Sequence, residues 1–367
     1  MDSKPVLTGK IFCTGERMKY IKYLLVFVPL SIAGYFLGWN AAAVFFMTCL
    51  AVVPLAGYLG MATEEIAAYS GPKLGGFLNA TLGNATELII AFFALKAGML
   101  DVVKASLAGS VLGNILLVLG CSIFIGGLKH KELNFDARGG AFTSTMLLFA
   151  VVGLAIPAVF FLSHSVSEGD ITGKYGGLSI ITSVILLVIY IVGLIYSFKT
   201  KEDLYGVEHA EDIDAKWSFP ASIVILAVSA VFIAVESELL VESIEPMTEI
   251  IEIPKMFIGL ILIPTVGNAA ENSTAMMMAL KNKMDITIEI SVGSSLQVAL
   301  FVIPLLVLLS LFFTPMSIVF KPVELFIFGA SVLIANQIVS SGKTNWMEGL
   351  KLLSVYIIVA VGFFIIG

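Results

Sequence analysis

Leu82-Gly83-Asn84-Ala85-Thr86-Glu87 and Val266-Gly267-Asn268-Ala269-Ala270-Glu271 share a Gly-Asn-X-X-Glu pattern. The offset between them also superimposes Ala91 on Ala275, Asp101 on Asp285, Gly109-Ser110 on Gly293-Ser294 and Leu112 on Leu296. A short pattern recurs by chance, but a matched Gly-Ser far downstream makes chance a poor explanation. The chain reads as an internal duplication whose copies each run over two consecutive apolar stretches.

Composition fixes the class. Of 367 residues, 58% are hydrophobic before the 33 glycines are counted and 13% are charged, whereas soluble domains carry about 45–50% apolar residues with glycine and about 25% charged. Mean hydropathy is +1.00 and the sequence pI about 5.2. Such a chain presents no basic face to phosphates, so nucleic acid is excluded as a partner. A soluble or disordered chain is excluded with it. Cys13, Cys49 and Cys121 offer no disulfide framework. The class is a polytopic membrane protein, its surroundings a lipid bilayer.

A crossing helix needs about 20 mostly apolar residues. Such runs fall at 20–37, 41–60, 74–96, 104–127, 140–162, 175–198, 217–241, 256–280, 286–310, 322–340 and 347–366, and the helical pattern of the second continues over 61–71. The runs are continuous rather than alternating, unlike barrel strands. The fold class is therefore all-α, with about eleven transmembrane helices. Lys4, Lys10, Arg17, Lys19 and Lys22 precede the first run, and no small-residue cleavage site follows Ser31–Trp39, so that run reads as a retained helix rather than a signal peptide.

Lysine and arginine positions orient the chain. With the N-terminus cytoplasmic, that lead shares its side with Lys73, Lys129, Lys131, Arg138, Lys199, Lys201, Lys216, Lys281, Lys283, Lys343 and Lys351, leaving Lys96, Lys104, Lys174, Lys255 and Lys321 opposite. An odd number of spans then places the C-terminus outside. Residues 1–38 form a cytoplasmic N-terminus and extra first span, 39–198 the first repeat, 199–216 an acidic cytoplasmic linker and 217–367 the second repeat. An odd number of spans also separates the two motifs, so the repeats are expected to be inverted. Inverted repeats with a site at their midplane interface are a recurring plan of secondary transporters. The compact chain, without long soluble tails, reads as a protein of a prokaryotic cell membrane.

Glu87 and Glu271 sit inside apolar runs, where a charge costs about 2.5–3.5 kcal/mol on insertion scales. A single such residue fits a protonated structural role; two in equivalent positions fit a function better. Asn84 and Asn268 precede them by one helical turn, on the same face. Gly83 and Gly267 bare the backbone there, and Pro264 removes a backbone donor and so frees a carbonyl. Carboxylate, amide and peptide oxygens make an all-oxygen shell, and His130, His164 and His209 all fall in loops. Such a shell suits a hard cation, and Ca²⁺ accepts irregular, carbonyl-rich geometry more readily than Mg²⁺. Ser110 and Asn114 in the next span, with Ser294 and Gln297 in its counterpart, are equally well read as path lining or as helix packing. Gly109 and Gly293 read mostly as packing. Glu64 and Glu65 are candidates for cytoplasmic access, and Glu211, Asp212 and Asp214 for regulation, against the plainer reading of solvated helix ends and a connector. Glu236 and Glu238 in span seven resist that plain reading.

Ala62-Thr63-Glu64-Glu65 followed by Leu78-Asn79-Ala80-Thr81-Leu82-Gly83-Asn84-Ala85-Thr86-Glu87 resembles the first signature of the Ca²⁺/H⁺ antiporters, the cation/proton exchanger branch of the Ca²⁺/cation antiporter superfamily. Gly267-Asn268-Ala269-Ala270-Glu271 with Ser291-Val292-Gly293-Ser294-Ser295-Leu296-Gln297 resembles the second. Sodium/calcium exchangers typically carry Pro before the motif glutamate, where this chain has Thr86 and Ala270. Asn272 stands where many relatives have His, and Gly113 where the first repeat is often polar. The resemblance implies exchange of cytoplasmic Ca²⁺ for H⁺ with Glu87 and Glu271 as shared ligands, Asn84 and Asn268 beside them, Ca²⁺ as cargo and no cofactor. It implies a transporter rather than an enzyme; Na⁺/Ca²⁺ or Mn²⁺/H⁺ exchange is the alternative. Two neighbouring carboxylates resist joint ionisation unless a cation lies between them, so they are expected to titrate as a pair.

Overall fold

The computed structural model describes residues 21–163, 174–200 and 216–366. The acidic run with Glu211, Asp212 and Asp214 lies outside them. Among the described residues the chain is almost wholly helical. In order come α1 (Lys22–Phe36), α2 (Ala41–Ser70), α3 (Leu74–Lys96) and α4 (Leu100–His130). They are followed by α5 (Ala137–Ser163), α6 (Lys174–Thr200) and α7 (Phe219–Ile251). Then come α8 (Lys255–Gly267), α9 (Ala269–Leu280), α10 (Met284–Ser310), α11 (Pro322–Val339) and α12 (Trp346–Ile366). Nine of the described helices are long and apolar enough to cross a bilayer. Two of the eleven expected runs differ: the first is the shorter α1, and the eighth breaks at Asn268 into α8 and α9.

Residues 41–82 are helical throughout, as the pattern over 61–71 implied, yet they are not straight. Eight residues of unbroken helix rise about 12 Å, whereas a Cβ at Gly75 would lie 2.6 Å from the Ala67 carbonyl oxygen. The chain therefore doubles back between α2 and α3, where Gly71-Pro72 weakens a continuous helix.

The helix ends gather on two faces. On one, Glu65 accepts from the backbone N–H groups of Lys216 and Trp217. There too Lys129 and His130 bond the Leu280 carbonyl, Asp285 accepts from Asp136 N–H, and strand β1 (Glu132–Asn134) pairs antiparallel with β2 (Lys343–Asn345). On the other, Tyr35 donates to Glu242, Lys96 pairs with Glu238 at 3.3 Å, and Lys104 donates to the Val319 carbonyl at 2.9 Å. His130, expected in a loop, instead closes α4.

Among the nine long helices α10 is the most enclosed: 78% of its apolar stretch is buried, against 67% for α2 and α4 and 22% for α12. α5, α6, α7 and α12 turn valine, isoleucine and phenylalanine outward, as a lipid-facing ring must. Where α4 crosses α8, a Cβ on Gly109 would sit 2.1 Å from the Leu260 carbonyl oxygen. Pro264 has no N–H to give that carbonyl. The carbonyl that Pro264 releases thus turns to Gly109 and not to a ligand, which corrects the expectation for Pro264 and bears out packing for Gly109. Overpacked cores lose about 1–3 kcal/mol, so Gly109→Val is expected to lower the melting temperature in detergent and the folded yield. Gly267→Ala, whose added Cβ would meet Ile90 only at 3.8 Å, leaves both near wild type.

Candidate functional site

Gly83 and Asn84 are poor helix formers, and helix geometry lapses at both motifs in the same way. Asn84 has φ −96° and ψ 23°, and Asn268 φ −95° and ψ 8°. A helical segment restarts after each, with Glu87 and Glu271 in its first turn. That turn directs backbone N–H groups and the positive end of the helix dipole at the carboxylate.

The two turns meet at a cavity of about 150 Å³. Gly83, Thr86 and Glu87 face Gly267, Asn268, Ala270 and Glu271 across it, and α10 closes it with Glu289, Gly293, Ser294 and Gln297. Glu64, Asn79 and Thr274 also line it. No lysine, arginine or histidine among the described residues does. Exposure rises along its carboxylates: Glu87 is buried, Glu271 and Glu289 partly buried and Glu64 exposed. Glu64, Asn79, Thr274 and Glu289 all lie from the motif glutamates toward the face that carries Glu65 and Leu280, so the cavity opens to that face.

Hydrogen bonding differs between the motifs. Asn84 Nδ2 donates to Gln297 Oε1 at 2.6 Å, and Ser294 Oγ donates to Asn84 Oδ1 at 3.0 Å. Asn114 Nδ2 in turn reaches Ser294 Oγ at 3.2 Å. Glu87 Oε2 and Asn268 Oδ1, both buried, have no such partner, and neither has Ser110 Oγ. Unpaired buried oxygens are costly and are what an incoming cation satisfies. Apart from the thioether of Met61, the possible ligands in the lining are oxygens, as a hard cation requires.

Sequence reasoning named Glu87, Glu271, Asn268, Gly83, Gly267, Ser294, Gln297 and Glu64, and all eight line the cavity. Asn84 and Asn114 stand behind the wall, in the network through Ser294. Ser110 is buried away from the cavity, and Glu65 leaves it for the chain at residues 216 and 217. Gly293, read mostly as packing, also lines it. Glu289 was missed: it lies one turn before Gly293, and a carboxylate in that apolar run was itself the signal. Asn79, Thr86 and Thr274 carried no comparable signal.

α4 and α10 depart from α-helical geometry at matched places. Residues Gly113–Val118 and Val298–Val302 are π-helical, just after Ser110 and Gln297. Such bulges frequently occur at functional sites.

The family described as sodium/calcium exchanger protein matches residues 40–199 and 221–365. The chain belongs to that family. Within it, the sequence is 42% identical to a Ca²⁺/H⁺ antiporter of Synechocystis sp., over 95% of this chain and 98% of the relative. It is also 42% identical to the Ca²⁺/H⁺ antiporter ChaA of Bacillus subtilis, over 95% of this chain and 100% of that one. The solved structure of native YfkE superposes with a TM-score of 0.81 at 40% identity, covering 94% of this chain and 100% of that one. The H⁺/Ca²⁺ exchanger CAX shares the fold, with a TM-score of 0.72 at 16% identity over 96% of this chain and 93% of that one. Family members are transporters, so the chain is a membrane transporter and not an enzyme.

Proposed function

We propose that this exchanger moves Ca²⁺ out of the cytoplasm against H⁺, and that Glu87 and Glu271 hold the two ions in turn. One observation carries the reading: both motif glutamates line one cavity that no basic side chain among the described residues enters. Two facing carboxylates are best satisfied by a divalent cation or by protons, and the doubly charged empty site is the costly state. Passage between the two sides then occurs only with the site filled, which is the rule of an antiporter. Asn268 and backbone oxygens complete the Ca²⁺ shell. The relatives named Ca²⁺/H⁺ antiporters at 42% identity support the same pair of ions.

Eleven crossings and inverted repeats fit the contacts between helix ends. If every run from α1 to α12 crosses once, with α8 and α9 as one crossing, each contact on the two faces joins ends on the same side. The cavity then opens to the lysine-rich, cytoplasmic side. The N-terminus lies on that side and the C-terminus opposite, in keeping with a bacterial membrane.

The test is flux in proteoliposomes of purified protein. An acidic lumen is expected to drive Ca²⁺ uptake that collapses when a protonophore removes the pH gradient. Uptake driven by an outward Na⁺ gradient and indifferent to pH would replace this reading with sodium exchange; a Mn²⁺ arm ranks the divalent cargo. Glu289 adds attraction at the mouth. A partly exposed charge contributes about 0.2–1 kcal/mol, so Glu289→Gln is expected to raise half-saturating Ca²⁺ by about 1.5- to 5-fold and to leave the maximal rate unchanged.

A further inference from the structure

Glu236 on α7 has no exposed surface, does not line the cavity and is given no role in the exchange proposed above. It lies where α1 meets α7. Its Oε1 is 2.8 Å from Ser31 Oγ of α1, and its Oε2 has no hydrogen-bond partner. An ionised carboxyl only accepts hydrogen bonds, whereas the neutral acid also donates one. Ionised, Glu236 would leave a charged oxygen bare among apolar side chains. Ser31 Oγ is also 2.8 Å from the Val28 carbonyl oxygen. A hydroxyl has one proton, so it serves one of these two acceptors fully. When Ser31 donates to Val28, the contact with Glu236 is completed by a proton on the carboxyl, given to the serine oxygen.

The elements packed on α7 carry other titratable groups, and their cations are engaged elsewhere. On α1, Tyr35 donates to Glu242, while Lys22 lies at the far end of the helix. On α3, Lys96 pairs with Glu238 at 3.3 Å, and Glu87 faces the cavity. On α8, Lys255 pairs with Glu245 at 2.5 Å. α2 brings the buried thiol Cys49, with Tyr58, Glu64, Glu65 and Tyr69 toward its cytoplasmic end. Among the described residues no cation lies within ion-pair distance of Glu236. Val28 and Ile233, each three residues before Ser31 and Glu236, belong with Ala51, Leu55 and Leu59 to an apolar cluster separate from the main core.

We propose that Glu236 is a proton-binding site distinct from the motif carboxylates, and that the proton held there fastens α1 to α7. That proton belongs to helix docking and not to the exchanged load. Because α1 is joined to α7 at this depth through a neutral acid, loss of the proton loosens the seam.

Infrared spectra of the full chain in lipid, at neutral pH and saturating Ca²⁺, test the site while the cation keeps the motif glutamates ionised. Subtracting the Glu236→Gln spectrum from wild type is expected to leave a protonated-carboxyl carbonyl band, and Ser31→Ala to shift that band. Glutamine keeps shape and hydrogen bonding without charge. Melting curves therefore give the second readout: the wild type is expected to lose stability relative to Glu236→Gln as pH rises. A missing band, or wild-type and Gln melting temperatures that run parallel with pH, overturns the proposal.

Discussion

Glu87→Gln and Glu271→Gln are each expected to reduce Ca²⁺ uptake into acid-loaded vesicles to background. Removing one member of a buried charge set costs about 3–5 kcal/mol, on the order of 10²–10⁴-fold in affinity. Glutamine keeps the volume and one acceptor oxygen at each position, so the loss reports charge and proton exchange rather than packing. The two losses are expected to be similar, because the glutamates occupy matching first turns after Asn84 and Asn268. Normal expression and melting of both variants with no uptake is the supporting result. Uptake that survives in either one removes the paired-carboxylate mechanism.

Ser294→Ala and Ser110→Ala are expected to bias the transporter in opposite directions. The repeat offset makes Ser110 the counterpart of Ser294, and Asn268 the counterpart of Asn84. At the cavity wall Ser294 Oγ donates to Asn84 Oδ1 at 3.0 Å, while Ser110 Oγ and Asn268 Oδ1 stand unpartnered. Under the proposed inverted repeats, the other state exchanges the conformations of the two halves. That state is expected to bond Ser110 to Asn268 and to open the Ser294–Asn84 contact. Losing a buried hydrogen bond costs about 1–3 kcal/mol, which moves a two-state balance by about 5- to 150-fold. Ser294→Ala is expected to reduce labelling of a cysteine placed at Thr274 by a cytoplasmic maleimide, and Ser110→Ala to increase it. Changes in the same direction for both variants sink the exchange of bonds.

Charge and periodicity made much of this legible in the sequence. A glutamate in an apolar run is expensive wherever it occurs, so Glu87 and Glu271 announced themselves before any contact was known. Glu289 obeys the same rule, but the repeat sets Ala105 opposite it, so no duplicated acid marks the position. Contacts between distant parts of the chain were not legible. Nothing local says that Glu65 turns to the backbone at residues 216 and 217 while Glu64 beside it faces the cavity; one helical step of about 100° decides it. Nor does sequence distinguish Glu236, wholly enclosed, from Glu238, half exposed beside Lys96. The carbonyl released by Pro264 was foreseeable, but its direction depended on α4 arriving with Gly109.

The β1–β2 ribbon has a mechanical consequence. With the bonds from Lys129 and His130 to Leu280 and from Asp136 to Asp285, it laces α4, α5, α9, α10, α11 and α12 together at a single end. α1, α2 and α7 take no part in that lacing. A bundle stitched in this way resists splaying like an opening book, whereas α1, α2 and α7 are held to their neighbours by packing and by the pairs Lys96–Glu238 and Lys255–Glu245 at the opposite face. In the proposed cycle the stitched bundle is therefore the part expected to keep its internal geometry while α1, α2 and α7 shift against it.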